Sequence, residues 1–526
     1  MAEQQRTPAV QSPSHPSQSQ TTGSHASGGA VADVVPDEHR LIADRKRKLD
    51  DLRAKSIAPY PHRYDPTHHA AELQSLFARL QHEERSGERA DIAGRIMLLR
   101  RMGKVAFATL QDETGRIQLF LKSDVLGDNY DLAALLDLGD IVGAAGEIVK
   151  TKTGEVSILV DKLTLLCKSL RPLPEKYHGL KDEEARFRRR YLDLVMNPQV
   201  KDLFVKRAKI VESVRQTLLA RGFLEVETPM LQTMYGGANA RPFITHINAW
   251  DMKLYLNISP EQHLKRLLVG GFERVFTICK NFRNEGVDQS HNPEFTMVEC
   301  YQAYADYNDM MALTESLYEN ACRAANGGTT VERNGVMLDF KAPWPRITMK
   351  DAIKRWGGMD VDQLSDDAMH DLVDEHGLKA TRQSSRGDII LALFEHFCEE
   401  HLVQPTHVID HPIESTALCK PMRTGDATMI ERFESFCMGM ELCNAYSELN
   451  DPVLQRKLLE GQATLLRAGN SEAMPMDEDF VQAIEYGMPP AGGLGVGIDR
   501  MVIFLTGVEG IRDIILFPTM RPDDQQ

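Results

Sequence analysis

Hydrophobic and polar positions change their spacing twice along this chain. Residues 37–55 have the spacing of a polar helix, whose basic run Arg45-Lys46-Arg47-Lys48 predicts either a solvated face or contact with phosphates. A second short helix is expected over about 66–85. β-Strand spacing follows over 92–98, 106–110, 117–121, 141–149 and 156–165, with a helical stretch, 130–138, after the third strand. This order is typical of a five-stranded OB barrel, and a β-sandwich is the alternative.

The remaining chain predicts one large α/β unit. Helical spacing over 201–221 precedes a predicted strand over 223–228, which ends at Pro229 because proline cannot donate to a ladder. Segments 273–283 and 294–304 have strand spacing and are joined by the polar loop 284–293. Residues 494–504 place small residues before an apolar helix. An acidic stretch with helical spacing, about 350–404, predicts a helical insertion at the surface.

These patterns divide the chain into five parts. Residues 1–35 are rich in Ser, Gln, Gly and Pro and cannot bury enough apolar surface to offset chain entropy, so a disordered tail is expected. A basic helix and its connection cover 36–65, the OB domain 66–170, a linker 171–190, and the large unit 191–526. The predicted fold class is therefore multidomain α/β (α+β).

Composition narrows the class of protein. The 526 residues include 61 Lys+Arg and 76 Asp+Glu, which gives a formal net charge of −15. This charge disfavours a protein that coats nucleic acids in general, but it permits local basic patches. No apolar run approaches the ~18 residues of a membrane span, and the N-terminus lacks a secretory apolar region. We therefore disfavour an integral membrane or exported protein. The eight cysteines show no CxxC spacing, which predicts reduced core thiols in a cytoplasmic protein rather than zinc ligands.

Three segments of the large unit carry candidate chemistry. Glu299 and Tyr301 have the same parity on a predicted strand, so they share a face. Arg283 precedes the polar loop, and an ion pair with Glu285 is its structural alternative. Arg500 begins a helix directly after a glycine-rich stretch, where close approach of a ligand is possible and arginine can offer its bidentate fork to a phosphate.

In this order, the three segments carry a family resemblance. GFLEVETPM resembles motif 1, NFRNEG…HNPEF motif 2 and GLGVGIDR motif 3 of the class II aminoacyl-tRNA synthetases. With ARPFITH, HLKRLLVGGFERVF, EFTMVECYQAYADY, NAYSELNDP and IRDIILFPTMRP, the chain resembles lysyl-tRNA synthetases over roughly residues 37–522. The resemblance implies an antiparallel catalytic sheet flanked by helices, an OB domain that binds the anticodon, and a homodimer formed through motif 1.

The resemblance also implies a reaction: ATP-dependent activation of L-lysine to lysyl-adenylate, then transfer of lysine to the 3′ end of tRNA(Lys). Arg283 would contact the α-phosphate of ATP and Arg500 the γ-phosphate. The other residues expected around ATP are Glu285, His291, Asn292 and Phe295, of which Phe295 would stack on adenine. Those expected around lysine are Gly237, Glu261, Glu299, Tyr301, Asn444, Tyr446 and Glu448. Mg²⁺ is expected at Glu434 and Glu441, and the anticodon at Arg100, Phe107, Gln118 and Glu147. Core packing is the structural alternative for Phe107.

The chemistry of lysine agrees with that assignment. An ε-ammonium has three donors and no acceptor, so its pocket must supply acceptors and negative charge. Asn444, Tyr446 and Glu448 alternate along one strand, and Glu299 and Tyr301 along another. If the two faces converge, Glu299, Tyr301 and Glu448 surround the ammonium. A turn-capping role for Glu448 is the structural alternative.

The residues disfavour four other functions, because this chain has an OB-like pattern, no membrane helix, and both arginines and both magnesium carboxylates. The paralogue that lysylates an elongation factor lacks an anticodon domain, and fusion proteins that lysylate lipids carry membrane helices. Aspartyl- and asparaginyl-tRNA synthetases share the fold but need a pocket for a short acidic or amide side chain. A binding-only relative would have lost Arg283, Arg500 or the magnesium carboxylates.

Ser290 replaces an arginine of many bacterial members, and Thr416-Ala417-Leu418-Cys419 also departs from their pattern.

Overall fold

The computed structural model describes residues 38–174, 182–381 and 383–522. The chain separates into two compact units, residues 1–173 and 174–526. The predicted tail, 1–35, lies outside the described residues, as does part of the predicted linker. Across the ranges described, no helix is both long and apolar enough to cross a membrane.

The elements of the first unit are α1 (Glu38–Ala54), α2 (Ala70–Leu76), β1 (Arg85–Met102), β2 (Val105–Gln111), β3 (Arg116–Lys122), α3 (Ser123–Leu126), a 3₁₀ turn (Gly127–Asn129), α4 (Tyr130–Leu135), β4 (Ile141–Lys150) and β5 (Val156–Cys167). Those of the second are α5 (Glu183–Arg188), α6 (Arg190–Met196), α7 (Pro198–Ala220), β6 (Leu224–Glu225), β7 (Leu231–Gln232), β8 (Ile244–Ile247), a 3₁₀ turn (Asn248–Trp250), β9 (Met252–Leu256), α8 (Glu261–Val269), β10 (Arg274–Phe282), β11 (Glu294–Ala303), α9 (Tyr307–Asn326), β12 (Thr330–Arg333), β13 (Val336–Asp339) and β14 (Arg346–Thr348). They continue with α10 (Met349–Ala352), a π-helical turn (Ile353–Gly357), a 3₁₀ turn (Val361–Gln363), α11 (Asp366–His376), α12 (Arg386–Phe397), a 3₁₀ turn (Glu399–His401), β15 (Thr406–Pro412), a 3₁₀ turn (Ile413–Ser415), β16 (Met429–Cys437), β17 (Met440–Ser447), α13 (Pro452–Arg467), α14 (Glu478–Glu485), β18 (Ala491–Gly497) and α15 (Ile498–Thr506).

The strands of the first unit close into a barrel in the order β1-β2-β3-β5-β4. The 18-residue β1 pairs with both β2 and β4, which closes the barrel without a free edge. Along β2, Ala106, Ala108 and Leu110 are buried in the core while the alternate residues are only partly buried. The predicted five-stranded OB barrel is therefore confirmed, and the sandwich alternative is wrong.

The basic run of α1 is partly structural. Arg45 is only 7% exposed, and its guanidinium donates to the backbone carbonyls of Ser169 at 3.1 Å and Arg171 at 3.0 Å. Lys48 Nζ pairs with Asp137 at 2.6 Å. These two cations hold α1 against the barrel, so neither a solvated face nor phosphate contact describes them.

The second unit is built on an eight-stranded sheet in the order β14-β15-β16-β17-β18-β11-β10-β6. The six central strands are antiparallel, as expected, but β6 and β14 run parallel to their neighbours at the two edges, so the sheet is mixed. Helices α7, α9 and α15 pack on one face, against Val298, Cys300, Leu494 and Val496. The other face is left for the candidate site.

Two elements differ from their predicted form. The strand expected over 223–228 is reduced to Leu224–Glu225, because it pairs only with Val275 and Phe276 before the chain turns toward Pro229. The predicted surface insertion has an apolar interior of its own, where Met369, Val373, Ile389 and Leu393 pack with Phe436 of the sheet. Its acidic residues therefore form the outside of a packed subdomain.

Candidate functional site

A cavity of about 410 Å³ lies in the second unit. This volume falls within the range of small-molecule sites, roughly 300–1,000 Å³. Its walls include every residue predicted for ATP, lysine and magnesium: Gly237, Glu261, Arg283, Glu285, His291, Asn292, Phe295, Glu299, Tyr301, Glu434, Glu441, Asn444, Tyr446, Glu448 and Arg500. The fold therefore gathers residues that are up to 263 positions apart, from Gly237 to Arg500, around one space.

Strand register explains much of this convergence. β18 lies between β11 and β17, and its glycines are flanked by candidate side chains: Gly495 by Glu299 and Asn444, and Gly493 by Tyr301 and Tyr446. A Cβ atom on Gly493 would overlap the Glu448 carboxylate and the Tyr301 ring. Glycine is thus required at Gly493, because any side chain would fill the cavity floor.

A β-bulge turns Glu441 into the cavity. Ser435 of β16 pairs with Cys443 of β17. The next residue, Phe436, pairs with Glu441, which leaves Leu442 as an extra residue in β17. Leu442 and Cys443 both pack in the core, and Glu441 lines the cavity. Strict alternation would have placed Glu441 and Cys443 on the same face.

Three carboxylates are buried at one end of the cavity. Glu261, Glu299 and Glu448 are at most 4% exposed. Glu299 accepts hydrogen bonds from Ser259 Oγ at 2.9 Å and Tyr301 Oη at 3.1 Å. Burial, reinforced by Glu261, raises the pKa of Glu299 to about 8, and burial likewise raises the pKa of Glu448 to about 8. Such a group of carboxylates can accept cationic ligands.

Lys265, which we did not predict, is buried among these carboxylates. Its Nζ atom lies 2.5 Å from Glu261 Oε1 and forms an ion pair with Glu448. Burial alone would lower the pKa of Lys265, but the two carboxylates raise it well above its ordinary value, so the ammonium stays charged. Its position four residues after Glu261 on α8 is the pattern that could have identified it.

Arg432 is the second residue that we did not predict. Its Nε atom donates to Asn444 Oδ1 at 3.0 Å, its Nη1 to the Ser415 carbonyl at 3.1 Å, and its Nη2 to Glu434. The guanidinium of Arg432 thus connects Asn444, which is predicted to bind the substrate lysine, with Glu434, which is predicted to bind magnesium. Arg432 has the same parity as Glu434 on β16, and this could have revealed it.

Two other arginines line the cavity beside Phe295 and Glu441, and we call this part its arginine end. The guanidinium of Arg283 packs 5.1 Å from the ring centre of Phe295, and its Nε atom is buried without a hydrogen-bond partner among the described residues. The alternative ion pair with Glu285 does not occur in the part of the chain that the structure describes. Arg500, in the first turn of α15, donates to Glu441 Oε2 at 3.0 Å. An anion could therefore bind between these two guanidinium groups.

The two predicted magnesium carboxylates differ in their environment. Burial raises the pKa of Glu434 to about 7, with Arg432 opposing and Glu441 reinforcing the shift. Burial would also raise the pKa of Glu441, but Arg500 brings it below its ordinary value. Within the described ranges, no three His, Cys, Asp or Glu side chains are placed to hold a metal by themselves. Two carboxylates beside two arginines that can bind phosphate do fit Mg²⁺, which is usually held by one or two carboxylates plus substrate phosphates.

The loop between β10 and β11 is held by Asp288. Its carboxylate accepts from the backbone N–H groups of Ser290 at 2.7 Å and His291 at 2.8 Å. The Asn292 side chain donates to the Glu294 carbonyl at 2.6 Å. Ser290, which replaces the arginine expected from the resemblance, lines the cavity, so the substitution lies at the site itself.

The four predicted anticodon residues lie on the outer face of the barrel. Arg100 pairs with Phe107 across β1 and β2, and Phe107 pairs with Phe120 across β2 and β3. The two phenylalanine rings are stacked, with centres 4.7 Å apart and planes 8° apart. Gln118, two residues before Phe120, shares this face, and Glu147 lies in the same row of paired residues on β4. The core-packing alternative for Phe107 is therefore wrong, and Phe120 is an aromatic residue that strand alternation could have found.

Two of these four residues already have protein partners. Gln118 Oε1 accepts from Ser157 Oγ at 2.9 Å. Glu147 accepts from Arg85 Nε at 2.9 Å and from the Gly87 N–H at 3.2 Å, and the Arg85 hydrogen bond lowers its pKa. The stacked rings are consequently the part of this surface that is best prepared to receive a base.

Comparison with known proteins agrees with the geometry. Residues 182–521 match the family described as tRNA synthetases class II (D, K and N), and residues 90–166 match the OB-fold nucleic acid binding domain. The lysine–tRNA ligase of Moorella thermoacetica is 50% identical over 93% of this chain and 99% of its own length. Those of Clostridium perfringens and Pelotomaculum thermopropionicum are each 49% identical, over 91% and 92% of this chain and 95% and 96% of their own lengths. The chain therefore belongs to the lysine–tRNA ligase family of class II tRNA synthetases.

Proposed function

We propose that this protein is a lysine–tRNA ligase. It activates L-lysine with ATP to lysyl-adenylate and then transfers the lysyl group to the 3′ end of tRNA(Lys). Family membership supports the reaction. The observation that carries the choice of amino acid is the group of three buried carboxylates, Glu261, Glu299 and Glu448, in the same cavity as Arg283 and Arg500.

The carboxylate end receives lysine. Glu299, Tyr301 and Glu448 accept or surround the ε-ammonium, since burying that charge without partners would be very costly. Asn444 and Tyr446 flank the aliphatic stem. Glu261, with the backbone at Gly237, holds the α-amino group, and the substrate carboxylate points toward the arginines. An aspartate or asparagine side chain would meet repulsion or unpaired acceptors here, which disfavours those substrates.

The arginine end receives ATP. Phe295 stacks on adenine, Arg283 binds the α-phosphate and Arg500 the γ-phosphate. The lysine carboxylate attacks the α-phosphorus in line, and the bond to the pyrophosphate oxygen breaks. Arg283 stabilises the charge that develops on the α-phosphate, so positioning and electrostatics account for the rate without a protein base. When bound by Glu434 and Glu441, Mg²⁺ supplies further neutralisation of the phosphate charge.

The second step and the barrel complete the proposal. The 3′-terminal ribose hydroxyl of tRNA attacks the lysyl-adenylate carbonyl, and AMP leaves. The barrel binds the anticodon by stacking bases on the Phe107–Phe120 pair, beside Arg100. Base stacking on an aromatic side chain contributes ~1–3 kcal/mol per base. Its support is a half-buried, stacked aromatic pair on the outer face of an OB barrel, a fold that commonly binds single-stranded nucleic acids.

We also propose a homodimer formed through the motif 1 region. Apolar side chains are exposed across and beyond that motif: Leu219, Leu224, Leu231, Ile244 and Trp250. Exposed apolar surface of this kind is typical of a protein interface. Light scattering should give twice the chain mass of 59.1 kDa, and a monomer across the assayed concentrations would contradict the proposal. The domain limits given above and the cytoplasmic location stay predictions.

Lysine-dependent exchange of pyrophosphate into ATP, run against all twenty amino acids, tests the function. We expect exchange with lysine, and a charging assay with tRNA(Lys) then tests the transfer step. Exchange supported by aspartate or asparagine in preference to lysine would show that the cavity has been assigned to the wrong substrate.

A further inference from the structure

Lys265 connects two of the buried carboxylates. The side chain is fully buried, and its Nζ atom contacts Glu261 on α8 and Glu448 just after β17. It also lies 3.5 Å from the Leu418 carbonyl. Since α8 and β17 are far apart in sequence, this one ammonium fixes the relative positions of two carboxylates that the backbone does not otherwise join.

The charges of the cavity end are not balanced. Glu261, Glu299 and Glu448 can carry three negative charges. Among the described residues, Lys265 is the one cation that forms an ion pair with any of them, while Arg432 and Arg283 act on Glu261 and Glu299 from farther away. L-Lysine brings two ammonium groups. Despite the ion pair, neither oxygen of Glu448 makes a hydrogen bond of good geometry within the described residues, so acceptor capacity is left over.

We propose that Lys265 is a positioning residue for the amino acid: it fixes Glu261 and Glu448 and offsets one of the three carboxylate charges, which leaves a site matched to two ammonium groups. This inference rests on the proposed lysine ligase function. Lys265 acts through the carboxylates and does not itself contact the substrate.

Removal of the Lys265 charge should change the pH dependence of lysine binding. The charged and titratable groups around Glu448 are Glu261 and Lys265 on α8, Glu299 and Tyr301 on β11, Arg432 on β16, Tyr446 on β17 and Cys419 on the loop before β16. Burial raises the pKa of Glu448 to about 8, and Lys265 opposes that rise. Without Lys265 the pKa of Glu448 would be higher still. Because the carboxylate must be ionised to hold an ammonium, lysine binding would then begin only at higher pH.

The test compares Lys265→Met, which removes the charge, with Lys265→Arg, which keeps it. In pyrophosphate exchange, Lys265→Met should raise the KM for lysine at least ~10-fold and leave the KM for ATP unchanged. In a plot of kcat/KM for lysine against pH, the rise on the acid side (the acid limb) should shift to higher pH. Lys265→Arg should keep the wild-type acid limb but raise the KM for lysine, because its longer side chain displaces the carboxylates.

Lys168→Met is the matched control. Lys168 is also a fully buried lysine paired with two carboxylates, Asp137 and Asp140, but it lies in the barrel unit. Its loss should lower the melting temperature and leave both the KM for lysine and the pH profile of exchange as in the wild type.

Three outcomes would overturn the inference. One is an unchanged KM for lysine in a folded Lys265→Met protein. Another is lowered stability with an unmoved pH profile, which assigns Lys265 a structural role alone. If Lys265→Met does not fold, an unchanged KM for lysine in Lys265→Arg is equally decisive. Failure of the proposed function is a separate result, because lysine would then not support exchange in the wild-type protein.

Discussion

Each unit of this protein buries a lysine between two carboxylates, and the two sites differ in charge balance. In the barrel, Lys168 Nζ donates to Asp137 at 2.6 Å and Asp140 at 2.8 Å. Lys48 also pairs with Asp137, so two cations meet two anions. Beside the cavity, Lys265 pairs with Glu261 and Glu448, and the third buried carboxylate, Glu299, has no ion pair within the described residues.

The pKa directions follow the charge balance. Burial would raise the pKa of Asp137, but Lys168 and Lys48 bring it below its ordinary value. In the cavity, burial raises the pKa of Glu299 and of Glu448, and one lysine does not reverse this. A buried ion cluster with balanced charges is thus suited to hold structure. A cluster with excess charge of one sign is suited to bind a ligand that supplies the opposite charge.

Glu441→Gln should have the largest effect and tests whether a cavity carboxylate outside the Lys265 cluster acts on substrates. We expect adenylate formation to fall on the order of 10³-fold, because a metal ion stabilises transition-state charge by several kcal/mol. Its magnesium dependence should shift upward. Titration of exchange activity against magnesium measures both. If Glu441 only pairs with Arg500 for structure, stability falls while the magnesium dependence stays the same.

Glu448→Gln compares the cavity directly with the barrel. It should lower kcat/KM for lysine roughly 10²-fold, which corresponds to about 3 kcal/mol, since it removes the charge of one partner in a buried charge pair. The KM for ATP should change little. Asp137→Asn is the matched barrel variant, and it should lower the melting temperature without altering lysine kinetics. If kcat/KM for lysine fell equally in Glu448→Gln and Asp137→Asn, the two clusters would not differ in function.

Phe107→Ala tests the outer face of the barrel. Aminoacylation of tRNA should fall roughly 10- to 100-fold, from the loss of ~1–3 kcal/mol of base stacking. Pyrophosphate exchange should remain near the wild-type rate, because that reaction does not use the anticodon. Leu119→Ala, on the inward face of β3, is the control and should affect stability. An equal decline of exchange and aminoacylation in a folded Phe107→Ala protein would contradict this role.

The smallest expected effect is the pH dependence of stability. The pKa of Glu299 rises from 4.5 to about 8 on folding, so its protonated form favours the folded state. That contribution is complete below 4.5 and is lost as the pH rises through about 8. Asp137, whose pKa is lowered, contributes above its unfolded pKa and loses this contribution as the pH falls.

Thermal unfolding at a series of pH values, with and without saturating lysine, measures both the alkaline loss of stability from Glu299 and the acid loss from Asp137, which is the acid limb. We expect ligand-free stability to decline by about 1–2 kcal/mol toward alkaline pH, with lysine restoring much of that loss. Lysine should not change the acid limb that Asp137 produces. Lysine stabilisation that is equal at all pH values would contradict the excess of buried negative charge.

Much of the fold could be predicted from local patterns. Alternation placed the five barrel strands, and equal parity placed Glu299 and Tyr301 on one face. Glycine at Gly493 indicated close approach, which the register of β18 explains. These predictions succeed because backbone periodicity and the lack of a side chain are properties of the residues themselves.

Other features were decided only when distant segments paired. The bulge at Leu442 reverses the parity that would have kept Glu441 out of the cavity, and no local pattern marks it. Arg45 and Lys265 look like ordinary surface cations in sequence, but the fold buries both among acceptors contributed by other elements. Sequence by itself therefore determined the strand periodicities and the presence of an OB barrel beside a larger α/β unit. Tertiary structure decided which charges are buried together, because burial and pairing depend on contacts between elements and not on the spacing within one.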